Sequence, residues 1–132
     1  MRRFIDEVVN GGDIDAVGEL WHEDLKWHAG SGGDIAGIPA YKAFLRAAIG
    51  GAFTDMHLTI HDTLVDGDTV VLRFSNSGTH TGPFLGTPAT GRRAQWLGIG
   101  IYTVRDGKIA EAWFGEDILG MLHQLGAITL SA

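Results

Sequence analysis

The stretch MHLTIHDTLVDGDTVVLRF, residues 56–74, governs the reading of the fold. Met56, Leu58, Ile60 and Leu64 alternate with His57, Thr59, His61 and Thr63. That two-residue period belongs to a half-buried strand. Asp66-Gly67-Asp68 reads as a tight turn, and residues 69–81 read as the next strand. Two more strands are expected over 93–104 and 109–116, joined through Asp106-Gly107, a favoured hairpin pair.

The chain ahead of this stretch has a helical period. Residues 2–9 place Phe4, Ile5, Val8 and Val9 on one face, and Asn10-Gly11-Gly12 stops that helix. Asp13 can cap a second helix ending at Leu20 or Trp21. A short strand is expected over 25–29, a glycine-rich loop over 30–33, and a third helix over 39–49 with Pro39 in its first turn. A last helix over 118–124 ends before Gly126. Helices followed by a meander of long strands make an α+β fold. A strongly curved antiparallel sheet wrapped around the N-terminal helices gives a cone with an interior cavity. Gly98 and Gly100 would permit that curvature.

The chain has 132 residues, which fits a single domain over 1–132. It carries 16 acidic and 10 basic residues, net charge −6, with no basic stripe, so nucleic acid is not an expected partner. No apolar run reaches the ~20 residues of a membrane helix, and the first residues lack a signal-like apolar stretch. The absence of cysteine excludes disulfides and thiolate metal sites, and a cytoplasmic location is the expectation. Gly86 and Gly91 have phosphate-loop spacing, but Arg92-Arg93 and a strand follow them, which does not fit that motif. His57 and His61 lack an evident third ligand, so no metal is expected. No Ser-His-Asp or Gly-x-Ser-x-Gly pattern occurs.

The segments NGGDIDAVGELWHEDLKWH, AFTDMHLTIHDTLVDGDTVV, GTHTGPFLGTPATGRR and DGKIAEAWFGEDILGMLHQLG, taken in order, resemble the SnoaL-like polyketide cyclases of the nuclear-transport-factor-2-like superfamily. The resemblance covers about residues 4–126. It implies a cone-shaped α+β barrel, a homodimer, a hydrophobic cavity, no cofactor, and ring closure by intramolecular aldol condensation. It also implies that the aspartate of the Trp-x-x-x-Asp segment, here Asp117, is the acid/base residue. A second polar residue is expected from the preceding strand, which here carries Gly98 and Gly100 among aliphatics.

Read on its own residues, Asp117 shares strand parity with Ile109 and Trp113 and would be desolvated at the inner end of the strand. It is equally placed to cap the last helix. His80 follows Leu72, Phe74 and Asn76 on one strand face, so it points inward unless a bulge at Gly78 turns it out. It is a second catalytic candidate, or else it satisfies loop backbone. His28 and Asn76 are candidate pocket residues, and Tyr41, Phe84, Trp96, Tyr102 and Trp113 are candidate walls for an apolar or polycyclic substrate. Arg73 should face outward, paired with an acid or at a dimer interface near His57 and His61. Two functions stay open: an acid/base enzyme of the cyclase, isomerase or epoxide-opening kind, and a module that only binds an apolar ligand or dimerises. Gly100 and Gly115, taken as pocket positions that add room without chemistry, lean toward the second.

Overall fold

The computed structural model describes residues 1–29 and 33–129. The glycine-rich loop expected over 30–33 lies largely outside them. Six strands form one curved, unclosed sheet in the order β2-β1-β6-β5-β4-β3. They are β1 (Trp21–Ala29), β2 (Gly33–Ala36), β3 (Phe53–Asp66), β4 (Thr69–His80), β5 (Arg93–Arg105) and β6 (Lys108–Glu116). The helices are α1 (Val17–Leu20), α2 (Ile38–Ala48) and α3 (Ile118–Gln124). The architecture is the α+β cone expected from the sequence. Its sheet is mixed, because β1 runs parallel to β6 while the other pairs are antiparallel.

The first helical segment, Phe4–Val9, is a π-turn that buries Phe4, Ile5, Val8 and Val9. Asn10 does more than end it. Its Nδ2 donates to the Leu58 carbonyl at 2.9 Å, and its Oδ1 accepts the Leu58 N–H at 2.7 Å. The side chain thus pairs with the backbone of β3 and fastens the helical layer to the sheet. The second helix is only a 3₁₀ turn, Ile14–Ala16, followed by the four residues of α1. β1 starts at Trp21, earlier than expected. The Trp21 indole is buried against Tyr41 and Phe4, with ring centroids 4.7 and 5.3 Å away.

The alternation in β4 is unbroken: Leu72, Phe74, Asn76, Gly78 and His80 are buried. Two other strands carry irregularities that switch faces. In β3 the register with β4 shifts between Ile60 and Asp62, and beyond it Leu64 and Val65 are exposed at the far end of the hairpin. In β6 the shift lies between Ile109 and Glu111, where Ala110 is the extra residue against β5. That bulge decides which acidic side chain enters the cone.

Candidate functional site

A cavity of about 170 Å³ lies between the helices and the concave face of the sheet. Its wall is chiefly aromatic and aliphatic: Phe4 from the first turn, Trp27 from β1, Tyr41 and Phe44 from α2, Phe74 from β4, and Phe114 from β6. Phe84 and Leu85 reach it from the loop between β4 and β5. Leu85 is 54% exposed and has φ +46, followed by Gly86 at +79, within a turn closed by paired Phe84–Thr87 backbone bonds. This turn holds an apolar side chain at the mouth of the cavity.

Among the described residues, Glu116 is the one acidic residue in the wall. With the Ala110 bulge, Ala112, Phe114 and Glu116 stand opposite Tyr102, Gly100 and Gly98, the inward positions of β5. Trp113, Gly115 and Asp117 fall on exposed positions. The parity expected for Ile109, Trp113 and Asp117 therefore holds only for Ile109, which is buried ahead of the bulge. Gly115 likewise is no pocket residue; a Cβ there meets nothing within 4 Å.

The Trp96 indole N–H donates to Glu116 Oε1 at 3.0 Å. Burial pushes the Glu116 carboxyl above its ordinary range, opposed by that indole bond. Holding Oε1 leaves Oε2 as the oxygen available to a ligand. Gly98 makes room for this arrangement. A Cβ at that position would lie 2.6 Å from Phe74 Cζ and 2.8 Å from Glu116 Cγ. The glycines expected to curve the sheet thus also admit side chains across the strand.

The candidates divide by location. Asn76, Tyr41, Phe84, Trp96 and Tyr102 line the cavity. Asn76 is buried, and its Oδ1 accepts the Ser77 N–H at 3.0 Å, which leaves the NH₂ as its free end. Tyr41 and Tyr102 are buried hydroxyls whose ionisation is driven up first by burial, then for Tyr41 by Tyr102 and the Glu116 carboxyl and for Tyr102 by the Glu116 carboxyl. Both are therefore neutral donors at physiological pH.

Asp117, His80, His28 and Trp113 lie outside the cavity wall. Asp117 is exposed and accepts the Gly120 N–H at 2.9 Å, the N-cap of α3. It turns outward because the bulge has moved the inner end of the strand one residue back, onto Glu116. His80 does point inward and is 0% exposed, but it is packed against Phe53 in the second core cluster. Its Nδ1 meets the Thr90 N–H at 3.3 Å and Oγ1 at 3.0 Å, and its backbone bonds Arg92 and Gly91. This histidine fastens the far end of the loop that carries Phe84 and Leu85.

His28 lies in a shallow site on the other face of the sheet. Its Nε2 meets Glu111 at 2.7 Å and its Nδ1 meets Asp34 at 3.1 Å, while Trp113, 41% exposed, stacks on the ring at 5.4 Å. The two carboxylates raise its pKa, Glu111 most. Arg73 faces outward and donates to Asp62 at 2.5 Å. His61 is on the same side, bonded to Ser75 Oγ at 2.9 Å. Between these polar groups run the exposed side chains of Leu97, Ile99 and Ile101. Among the described residues no three His, Cys, Asp or Glu side chains gather in a way that could hold a metal ion, and no helix is long and apolar enough to cross a membrane.

The inward position of Glu116 was missed in the sequence because no single residue marks the bulge. One signal was present: an unbroken β6 would have turned Glu111 into the core and Phe114 out of it, a pattern that argues for a face switch between them.

The comparisons agree with this fold. A family model for SnoaL-like polyketide cyclases matches residues 1–125. No curated protein matches the chain. Among solved structures, TsrD from Streptomyces laurentii is 34% identical, with a TM-score of 0.84 over 97% of this chain and 92% of TsrD. IdmH from Streptomyces antibioticus, a proposed polyketide cyclase, is 31% identical, with a TM-score of 0.80 over 93% of each chain. A proposed SnoaL-like polyketide cyclase from Jannaschia sp. CCS1 is 25% identical, with a TM-score of 0.87 over 97% of this chain and 90% of that one. The chain belongs to the SnoaL-like polyketide cyclase family.

Proposed function

We propose that the chain is a cofactor-independent acid–base enzyme whose proton-transfer group is Glu116, acting on an apolar, carbonyl-bearing molecule of the polyketide kind. The observation that carries this reading is a carboxyl inside an aromatic cavity, one oxygen held by an indole and its pKa raised by burial. Such a group exchanges protons nearer neutral pH than an exposed glutamate does. As carboxylate, Glu116 Oε2 takes a proton from the carbon beside one carbonyl. The resulting enolate carbon attacks a second carbonyl of the same chain, forming the C–C bond. The new alkoxide then takes the proton back from Glu116, so the residue ends as it began. The wall would contribute by holding the chain folded with its reacting carbons close.

The test uses heptane-2,6-dione, which closes to 3-hydroxy-3-methylcyclohexanone; that product then loses water to give 3-methylcyclohex-2-enone, which absorbs in the ultraviolet. The wild-type chain should accelerate closure, and Glu116→Gln should lower the rate by about 10²-fold or more. Wild-type turnover by the variant would remove Glu116 from the chemistry. A second reading, an apolar ligand carrier, draws on the chiefly aromatic and aliphatic wall. It is favoured if the wild type binds the dione without closing it.

A further inference from the structure

Three buried side-chain polar atoms lack a partner among the described residues: Trp21 Nε1, His80 Nε2 and the Tyr102 hydroxyl. Only Tyr102 lines the cavity. It is 0% exposed, so water does not satisfy it from outside. A buried hydroxyl without a partner destabilises the fold, and phenylalanine would fill nearly the same volume without that cost. The position of the ring adds direction. A Cβ at Gly100 would lie 3.0 Å from Tyr102 Cε2, so the ring leans back over Gly100 toward Gly98, the position that faces Glu116. The Tyr102 ring and the Glu116 side chain thus each lie over a glycine of β5, two residues apart on the strand. Among the described residues the wall holds no Lys, Arg or His, and Glu116 is its one acidic residue.

We propose that the Tyr102 hydroxyl is the donor that binds an acceptor oxygen of an uncharged ligand, and so determines which molecules this cavity accepts. The inference rests on the cavity being the ligand site, as the proposed function also requires, but not on proton transfer by Glu116. Burial keeps the hydroxyl protonated, so it can donate but does not act as a base. A ligand with a carbonyl, hydroxyl or ether oxygen satisfies it. A hydrocarbon of the same shape leaves it unpaired, and a carboxylate enters a wall with no cation to meet it.

The test compares three probes on the full chain by calorimetric titration at pH 7. They are acetophenone, α-methylstyrene (the same shape, with a methylene for the carbonyl oxygen) and benzoate. The wild type should bind acetophenone about tenfold more tightly than α-methylstyrene and show no saturable binding of benzoate over the same range. Tyr102→Phe should lose most of that preference, keeping only what the Asn76 NH₂ supplies, and melt at or above the wild-type temperature. Glu116→Gln should keep the preference. Carbonyl-labelled [¹³C]acetophenone on the wild-type protein gives a reading that needs no variant: its resonance should move downfield, as for a hydrogen-bonded ketone. The inference is overturned if Tyr102→Phe keeps the preference, if the wild type binds neither neutral probe or does not discriminate, if benzoate binds as well as acetophenone, or if the carbonyl resonance does not move. If Glu116→Gln alone abolishes the preference, the carboxyl is the donor; this inference then fails, and the dione experiment still decides the acid–base role.

Discussion

Replacing Gly98 by alanine should damage the site by a single methyl group. The added Cβ would lie 2.6 Å from Phe74 Cζ and 2.8 Å from Glu116 Cγ. Ordinary carbon contacts begin about 0.7 to 1 Å farther out, near 3.5 Å. Phe74 is buried and packs edge-on against Phe114 at 6.2 Å, so its ring can retreat only toward the cavity that it lines. Overpacking of this kind costs about 1–3 kcal/mol. A glycine-to-alanine change also restricts the unfolded chain, which returns about 0.4–1 kcal/mol where the backbone suits alanine. Gly98 is not among the positive-φ residues, so that gain applies. The net loss should therefore be about 1–2 kcal/mol, read from urea unfolding midpoints at constant m. The same methyl group should push Glu116 away from Trp96 and break their 3.0 Å bond. The Trp96 indole N–H resonance should then move upfield. Gly115→Ala is the control on the next strand, where a Cβ meets nothing within 4 Å, and it should change stability by less than about 0.5 kcal/mol. If Gly98→Ala matches the wild type in both midpoint and indole shift, the close approach of Phe74 and Glu116 over Gly98 is wrong.

Asp117→Ala should lose about 0.5–2 kcal/mol through its α3 cap while dione turnover per folded molecule is kept, and Asp117→Asn should keep both; a 10²-fold loss in the asparagine variant would return the acid/base role to Asp117. His28 has its pKa raised by Glu111 and Asp34, so its contribution to stability is fully present below its ordinary value of 6.5 and is lost as pH rises through the higher folded value. Thermal melts of wild type and His28→Gln should therefore differ most in acid and converge in alkaline buffer; a constant difference would show that the imidazolium pairs contribute nothing. The exposed Leu97, Ile99 and Ile101 row, rimmed by the Arg73–Asp62 and His28–Glu111 pairs, fits a second copy of the chain, so sedimentation at tens of micromolar should give a dimer that Ile99→Lys dissociates. A wild-type monomer would reject that interface.

The cone was legible in the sequence because its strands are long and their alternation regular. Residues 70–80 of β4 follow one period throughout, so Asn76 and His80 could be assigned to the inner face by counting. The last strand could not be counted the same way. Alanine at 110 has no preference that signals a bulge, and its extra residue is set by pairing with β5, a long-range contact. Every inward position downstream moved by one, which puts Glu116 rather than Asp117 in the cavity wall. His80 shows a different limit. Periodicity gives the face of a strand but not the depth, and depth is decided by Phe53 and the loop packed over it. Tyr102 was readable as an aromatic wall, but its unpartnered hydroxyl is a property of packing alone.

Titration of the Glu116 side-chain carboxyl by ¹³C NMR, its resonance identified by its loss in Glu116→Gln, decides whether this group can transfer the proton. The cavity raises this group above the ordinary carboxyl value of 4.5 through burial, against the opposing Trp96 bond. The midpoint should therefore lie above 4.5, and it should move when acetophenone fills the cavity. A midpoint at or below 4.5 that is insensitive to acetophenone would mean that the carboxyl is solvated and away from the ligand, and Glu116 would not be the proton-transfer group.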